Sequence, residues 1–146
     1  MLLHLLPNDI SKYWGGISEA ISKSLPPFTI NDKERMLVIL KSLMSGIMQC
    51  WLLHEIEDDK ITLYAIMTTE FSIDPASQTK NLLIFSLYGL QPAPSGLWED
   101  GYKTLRLYAK ANRCQSIMAF TDVPEVLSII SKLGGDINTR LVILEV

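Results

Sequence analysis

The sequence has few residues of the kinds that bind metals or form disulfides. It contains two cysteines and two histidines. Cys50 and Cys114 lie far apart without the short spacing of a metal site, and so do His4 and His54. We therefore expect no metal centre and two reduced thiols, as is typical of cytoplasmic proteins.

The sequence also lacks a basic cluster and a long hydrophobic run. The formal net charge is −3, whereas nucleic-acid-binding proteins usually present a basic face, so we expect no nucleic-acid partner. No apolar run approaches the roughly 18–20 residues that cross a bilayer. Met1–Leu6 is apolar but has neither a basic start nor a small-residue cleavage site, so we interpret it as a first strand and not as a signal peptide. These absences favour a cytoplasmic protein without a membrane partner.

The overall composition is that of a globular protein. Hydrophobic residues make up 48% of the 146 residues and charged residues 20%. A chain of this length can bury one real core but not two comfortable ones. We therefore predict a single domain over residues 1–146.

The first half of the sequence has the patterns of two helices. Asn8 or Asp9 can cap a helix over about Ile10–Ser24. Asn31 begins a second helix over about Asp32–Ser45, whose apolar residues recur at helical spacing.

Three strands follow the helical pair. Ile47–Ile56 and Ile61–Phe71 are rich in β-branched and large apolar residues, and the short polar stretch Glu57–Lys60 joins them, which predicts a hairpin. Asn81–Tyr88 is almost continuously apolar. Such a strand is typical of a sheet covered on both faces, so we expect Asn81–Tyr88 to be the most buried strand.

The last third of the sequence continues with a loop, helix, strand, helix and strand. The predicted elements are the proline-bearing loop Gly89–Gly96, a helix over Leu97–Arg113, a strand over Ser116–Phe120, a helix between Asp122 and Gly134–Gly135, and a final strand over Arg140–Val146. Pro124 in the first helical turn and Gly134 at the helix end support the second of these helices.

This order of elements resembles the GNAT superfamily of N-acetyltransferases, and in particular small acetyltransferase-like proteins of the phage type. The glycine-ended strand before a Trp-bearing helix, Gly89 and Trp98, carries the resemblance, together with Leu133-Gly134 at the end of the last helix. The resemblance implies an α/β (α+β) fold with a mixed, twisted sheet of six or seven strands and about four helices. It also implies an acyl-CoA-dependent N-acetyltransferase whose cofactor is acetyl-CoA.

The resemblance further implies which residues meet the cofactor. The pantetheine of acyl-CoA would lie along the end of the central strand, and the pyrophosphate at the start of the next helix, where free N–H groups and the helix dipole bind anions. The residues implied for the pantetheine are Leu87, Tyr88, Gly89 and Leu90. Those implied for the phosphates are Gly96, Leu97 and Trp98.

The phosphate loop departs from the family pattern. The family has Gln/Arg-x-x-Gly-x-Gly/Ala, whereas this chain has Gln91-Pro92-Ala93-Pro94-Ser95-Gly96. Pro92 and Pro94 remove two N–H donors. Glu99 and Asp100 add carboxylates that favour the helix dipole but repel a pyrophosphate. The departure leaves two interpretations open: a working CoA site, or a structural loop at a catalytically degenerate site.

Acetyl transfer to an amine needs a base for the amine proton and an acid for the leaving thiolate. Glu70 is the candidate base and Tyr88 the candidate acid. Each has a simpler interpretation, since a lone strand Glu is usually solvated and a strand Tyr usually packs with its hydroxyl at the rim.

A second function is consistent with the same sequence. A non-catalytic relative would use the fold for protein binding, as a structural protein, a phage virion component or a host-binding component in the host cytoplasm. We expect a protein partner or a homo-oligomer, with Leu141–Val146 or the Trp98 face in the contact, because exposed apolar strands invite strand addition.

Overall fold

The computed structural model describes residues 1–146, and one five-stranded sheet organises them. The elements are β1 (Leu2–His4), α1 (Pro7–Lys12), α2 (Trp14–Ser22), α3 (Lys33–Ser45), β2 (Met48–Glu57), β3 (Lys60–Ile73), β4 (Lys80–Gly89), α4 (Leu97–Ala111), β5 (Ser116–Ala119) and α5 (Pro124–Lys132). The strands lie in the order β1-β2-β3-β4-β5. All neighbours are antiparallel except β4 and β5, which are parallel and are connected through α4.

The predicted first helix is in fact two short helices. α1 begins with Pro7 in its first turn, where the missing N–H costs nothing, and neither Asn8 nor Asp9 caps it. The chain breaks at Tyr13, whose φ of −109° and ψ of 17° are not helical, and α2 follows at once. The break divides the predicted helix into α1 and α2, so three helices instead of two precede β2.

The second predicted helix is confirmed as α3, with a different cap. Asp32 is the N-cap, and its carboxylate accepts a hydrogen bond from the Arg35 N–H at 2.8 Å. Asn31 instead donates its side-chain amide to the Ser22 hydroxyl at 2.8 Å. This contact connects the end of α2 to the start of α3. Asn31 therefore joins the two helices, and Asp32 caps the second of them.

The predicted hairpin is confirmed as β2 and β3. The ladder closes at Glu57 opposite Lys60, leaving a two-residue turn. Asp58 and Asp59 both adopt positive φ, 48° and 60°. Two-residue hairpin turns of the type that matches strand twist require this conformation, and Asp tolerates it better than most residues.

Two hydrophobic cores cover the two faces of the sheet. The first core lies under α1, α2 and α3 and includes Ile10, Ile17, Ile21, Ile39, Leu43, Cys50 and Ile66. The second lies under α4 and includes Leu2, Trp51, Leu53, Met67, Leu82, Leu97 and Leu105. Successive residues of β2 and β3 alternate between the two cores, as the period of a strand requires.

The most buried strand is β2, and not Asn81–Tyr88 as the sequence predicted. Six of the first seven residues of β2 are buried. In β4 only Leu82, Leu83 and Ser86 are buried. β2 has buried residues in both cores, Met48 and Cys50 in the first and Trp51 and Leu53 in the second, whereas Leu82 is the only buried member that β4 contributes to either core.

The predicted last strand, Arg140–Val146, does not form. The sheet therefore has five strands, not six or seven, and the helices number five, not four. A strand-type composition is not sufficient for a strand, because the main chain must also find a partner. The last helix, α5, is confirmed with Pro124 at its start and Gly134 at φ 81° after its end, although Val123 and not Asp122 is the N-cap.

None of the five helices combines the length and the apolar character that a membrane crossing needs.

Candidate functional site

The parallel strands β4 and β5 separate partway along β4. Their ladder runs from Asn81 opposite Ser116 to Ile84 opposite Ala119 and then ends. β4 continues to Gly89, paired only with β3 on its other edge. The second half of β4 therefore presents an edge of main-chain groups that no strand occupies, at the place where the chain enters the loop before α4.

A bulge accompanies this separation. The β3–β4 register passes from Thr68 opposite Ser86 to Thr69 opposite Ile84, so Phe85 is the extra residue on β4. A bulge bends its strand and increases the local twist. It lies just after the last pair with β5, so we attribute the divergence of β4 from β5 to it.

The N-terminus of α4 follows this open edge and carries free hydrogen-bond donors. Gly96 is the N-cap in the left-handed conformation, φ 87°, and no side chain caps the helix. The Leu97 N–H donates to the Pro94 carbonyl at 3.2 Å. The N–H groups of Ser95, Gly96, Trp98 and Glu99 have no backbone acceptor. They form a cluster of donors at the positive end of the α4 dipole, which suits an anion.

Two acidic side chains in the same turn reduce this attraction. Glu99 and Asp100 are both exposed. Asp100 accepts from Lys103 at 3.2 Å, so a cation one turn away partly offsets its charge. Glu99 takes part in no ion pair. Glu99 is therefore the main source of repulsion toward an anion at this helix end.

The loop before α4 is fixed to the hairpin. The Leu90 N–H donates to the Tyr64 carbonyl at 2.8 Å, and the Gln91 side-chain amide donates to the Leu63 carbonyl at 2.7 Å. The glutamine that the family pattern retains thus has a structural partner here. This attachment holds the loop against β3 and keeps it away from the open edge of β4.

The side chains implied for the cofactor have different surroundings. Leu97 is buried in the second core, and Leu87 and Trp98 pack against that core. Gly89 and Leu90 are exposed. The side chains of Leu87 and Leu97 hold the strand end and the helix end in place, so these two residues would meet a ligand mainly through their main-chain groups.

Tyr88 lies at the end of β4 beside a charged pair on α2. The Lys23 Nζ is 5.5 Å from the centroid of the Tyr88 ring and 2.7 Å from a carboxylate oxygen of Glu19. The Glu19 carboxylate and, more weakly, Tyr88 raise the pKa of Lys23, which stays protonated. The structure thus brings a phenol, an ammonium and a carboxylate together at the strand end.

Glu70 lies on the same face of the sheet but far from Tyr88. Tyr88 is opposite Ile66, and Glu70 is four residues further along β3, which corresponds to about 13 Å at the rise of an extended strand. Glu70 is half-buried without an ionic partner, and desolvation raises the pKa of its carboxyl. The structure does not bring the predicted base and the predicted acid together, and their roles stay predictions.

An aromatic contact links the end of β5 to the helical layer. Phe28, between α2 and α3, meets Phe120 edge to face, with ring centroids 5.2 Å apart. Phe120 directly follows the last β5 residue that pairs with β4. The connection between α2 and α3 therefore borders the region where β4 and β5 separate.

A groove lies between α2 and α3. Its volume is about 590 Å³, and it is open to solvent. Trp14, Met36 and Leu37 provide its apolar wall, and Glu19 and Asp32 its acidic groups. Glu19 also contacts Lys23, so one residue connects the groove to the surroundings of Tyr88.

The sequence did not identify the α2 residues near Tyr88. Glu19 and Lys23 have the spacing of an ordinary pair on a helix surface, which is common and indicates no site. Only the packing of α2 on β4 brings them to a residue sixty-five positions later in the chain, counting from Lys23 to Tyr88. A pattern in a single sequence carries no signal for such a contact.

Comparison with known proteins gives a fold and no closer relationship. No protein-family model matches the sequence, and no curated protein matches it. Among solved structures, a probable acetyltransferase has a TM-score of 0.70 at 10% identity, covering 100% of this chain and 97% of its own. A predicted acetyltransferase of Clostridium acetobutylicum, solved with acetyl-CoA, has a TM-score of 0.69 at 18% identity, with 99% and 95% covered.

A third similar structure is the aminoglycoside N-acetyltransferase AAC(6′)-Iy in complex with CoA. Its TM-score is 0.66 at 8% identity, and the match covers 99% of this chain and 98% of that one. Sequence identities this low show a shared fold and do not show a shared activity or substrate. The chain therefore shares its fold with these acetyltransferases, a GNAT-like fold with a mixed five-stranded sheet and five helices.

Proposed function

We propose that this chain is an acyl-CoA-dependent N-acetyltransferase-like protein. Its cofactor site would keep the open edge of β4 and the uncapped N-terminus of α4 but would bind the pyrophosphate more weakly than the family loop does. One observation carries the proposal. The second half of β4 has an unoccupied main-chain edge, and it leads directly into the uncapped N-terminus of α4. A ligand with an amide-bearing arm and an anionic end would match both features at once.

The two parts of an acyl-CoA fit this region unequally. The pantetheine amides find free main-chain groups along residues 85–89, whose edge no strand occupies. The pyrophosphate finds the free N–H groups of Ser95, Gly96, Trp98 and Glu99, but also the Glu99 carboxylate. When bound, acyl-CoA supplies a thioester carbonyl that an amine can attack. The fit supports binding, with an affinity lower than an uninterrupted glycine loop would give.

Tyr88 is the residue that we assign to proton donation. Its position at the end of β4 places it beside the edge assigned to the pantetheine. The Lys23 ammonium lies 5.5 Å from the centroid of the Tyr88 ring, and the tyrosine hydroxyl would give its proton to the leaving thiolate. Glu70 acts as a base only through intervening water, because it is about 13 Å away along the strand.

Calorimetric titration with CoA and acetyl-CoA tests the cofactor site. We expect saturable binding with a dissociation constant weaker than about 100 µM. Ser95→Glu places a carboxylate among the free N–H groups and should weaken binding several-fold. Gln115→Glu, at an exposed position beyond the other end of α4, adds the same charge and should leave binding unchanged. Absence of binding at millimolar CoA contradicts the proposal.

The alternative is a non-catalytic protein of the same fold that binds another protein. The observation that favours it is the exposure of apolar residues after β5, together with the separation of Glu70 from Tyr88. The predicted phage origin, and a place in a virion or in the host cytoplasm, rest on the sequence resemblance alone. An assay of thiol release from acetyl-CoA with a panel of amines separates the two functions, since only the first predicts amine-dependent release.

A further inference from the structure

The region after β5 is rich in apolar residues that the structure leaves uncovered. No residue after Ala109 is buried, and neither hydrophobic core contains a buried member from this region. α5 has no buried residue. Leu141, Val142, Ile143 and Leu144 are exposed by 51%, 75%, 50% and 84%. A soluble domain rarely leaves so continuous an apolar stretch free unless another surface covers it.

The main chain of this stretch is as unpaired as its side chains. The loop and turn hydrogen bonds of the backbone end at the Gly135 N–H, and residues 136–146 belong to no helix or strand. Leu141–Val146 reads Leu-Val-Ile-Leu-Glu-Val, a composition with high strand propensity and one charge. The segment therefore has both the main-chain groups and the side chains of a strand that has no neighbour.

The sheet has a matching vacancy at its edge. β5 pairs with β4 on one side, and its other side carries no strand. Its sequence, Ser-Ile-Met-Ala over Ser116–Ala119, contains none of the charged or proline residues that usually protect an edge. Met118 and the following Phe120 are 38% and 42% exposed. The edge thus accepts a further strand without a charge or a missing N–H to oppose it.

We infer that the segment Leu141–Val146 of one copy pairs with the β5 edge of a second copy, and that the exchange is reciprocal. Within a single chain the segment does not pair with the edge, although residues 120–140 connect them. A second copy brings an identical segment and an identical edge, so a two-fold axis satisfies both pairs at once and closes the assembly. Main-chain bonds supply the attachment, and the exposed leucine, valine and isoleucine side chains become covered.

Sedimentation of the full chain at low to high micromolar concentration measures the association. We expect a dimer whose dissociation constant Leu144→Asp raises more than tenfold. Leu107→Asp is the matched control, because Leu107 is a leucine on the outer face of α4 with 69% exposure, and it should leave the dimer unchanged. Ile143→Pro removes a main-chain donor and should also give a monomer. A wild-type monomer at all concentrations, or equal effects of the two aspartate variants, overturns the inference.

Cysteine cross-linking distinguishes exchange between copies from closure within one chain. In a Cys114→Ser background, Met118→Cys and Leu144→Cys are made as separate variants, mixed, and treated with a short bis-maleimide. We expect a covalent heterodimer after dissociation and reassembly of the mixture. If the mixture gives no cross-link while the double variant cross-links within one chain, the segment folds back on its own sheet and the inference is wrong.

Discussion

The two halves of β4 differ in their surroundings although their sequences are equally apolar. Residues 80–84 have strands on both edges, and Leu82 there is fully buried. Residues 85–89 have one paired edge, and their apolar side chains are only half-buried. Residues 80–84, which we call the closed half, contribute to the stability of the fold. Residues 85–89, the open half, lead to the candidate site. A continuous apolar run thus predicts a strand but does not reveal where the strand loses its neighbour.

The largest expected effect tests this difference directly. Leu82→Asp should lower the free energy of unfolding by more than about 4 kcal/mol, because it places an unpaired carboxylate in the second core. Leu87→Asp should cost about 2 kcal/mol, since Leu87 is half-buried beside the open edge. Urea denaturation gives both values. If Leu82→Asp does not fold, Leu82→Ala and Leu87→Ala should keep the same order, and equal costs would contradict the division of β4.

A smaller effect concerns the polar groups next to the closed half. Thr69, opposite Ile84 in the last row of that half, accepts from the Trp51 indole N–H at 2.9 Å and donates to Gln49 Oε1 at 2.9 Å. Thr69→Val leaves the Trp51 indole N–H and the Gln49 Oε1 atom without their hydrogen bonds to Thr69 and should cost about 2 kcal/mol. Thr62→Val, on the same strand without a side-chain hydrogen bond, is the matched control and should change the unfolding free energy by less than about 0.5 kcal/mol.

The sequence predicted most elements because their signals are local. The hairpin has a polar turn between β-rich runs, and α5 has a proline at its start and a glycine after its end. The predictions were wrong where the structure of a segment depends on pairing with residues that are distant in the sequence. Arg140–Val146 has the composition of a strand but no neighbour, and the apolar run of β4 did not show that β5 pairs with only four of its residues. For the same reason, the contact of Lys23 with Tyr88 could not be predicted from spacing.

The third prediction concerns the open half and its anion-binding end. Replacing Pro92 and Pro94 by Gly restores two N–H donors, and Glu99→Gln removes the unpaired carboxylate, so the combined variant should bind CoA about tenfold more tightly. Asp100→Asn should have a smaller effect, because Lys103 already offsets Asp100. Calorimetry at two salt concentrations measures the change, and Glu57→Gln in the hairpin turn is the control. Unchanged affinity in the combined variant would show that lost donors do not limit binding.

The smallest effect tests the half-buried carboxyl that lies in the row of Leu83, beside the closed half of β4. Desolvation raises the pKa of Glu70 in the folded protein, so ionisation favours the unfolded chain. The penalty is absent below the unfolded pKa of about 4.3 and appears as the pH rises through the folded pKa. Glu70→Gln should therefore stabilise the protein at pH 7, by less than about 1 kcal/mol because water still screens the partly exposed group. Urea midpoints of the variant and the wild type should converge near pH 4, and a variant that is less stable at pH 7 would mean that the Glu70 carboxylate has a favourable partner in the folded protein.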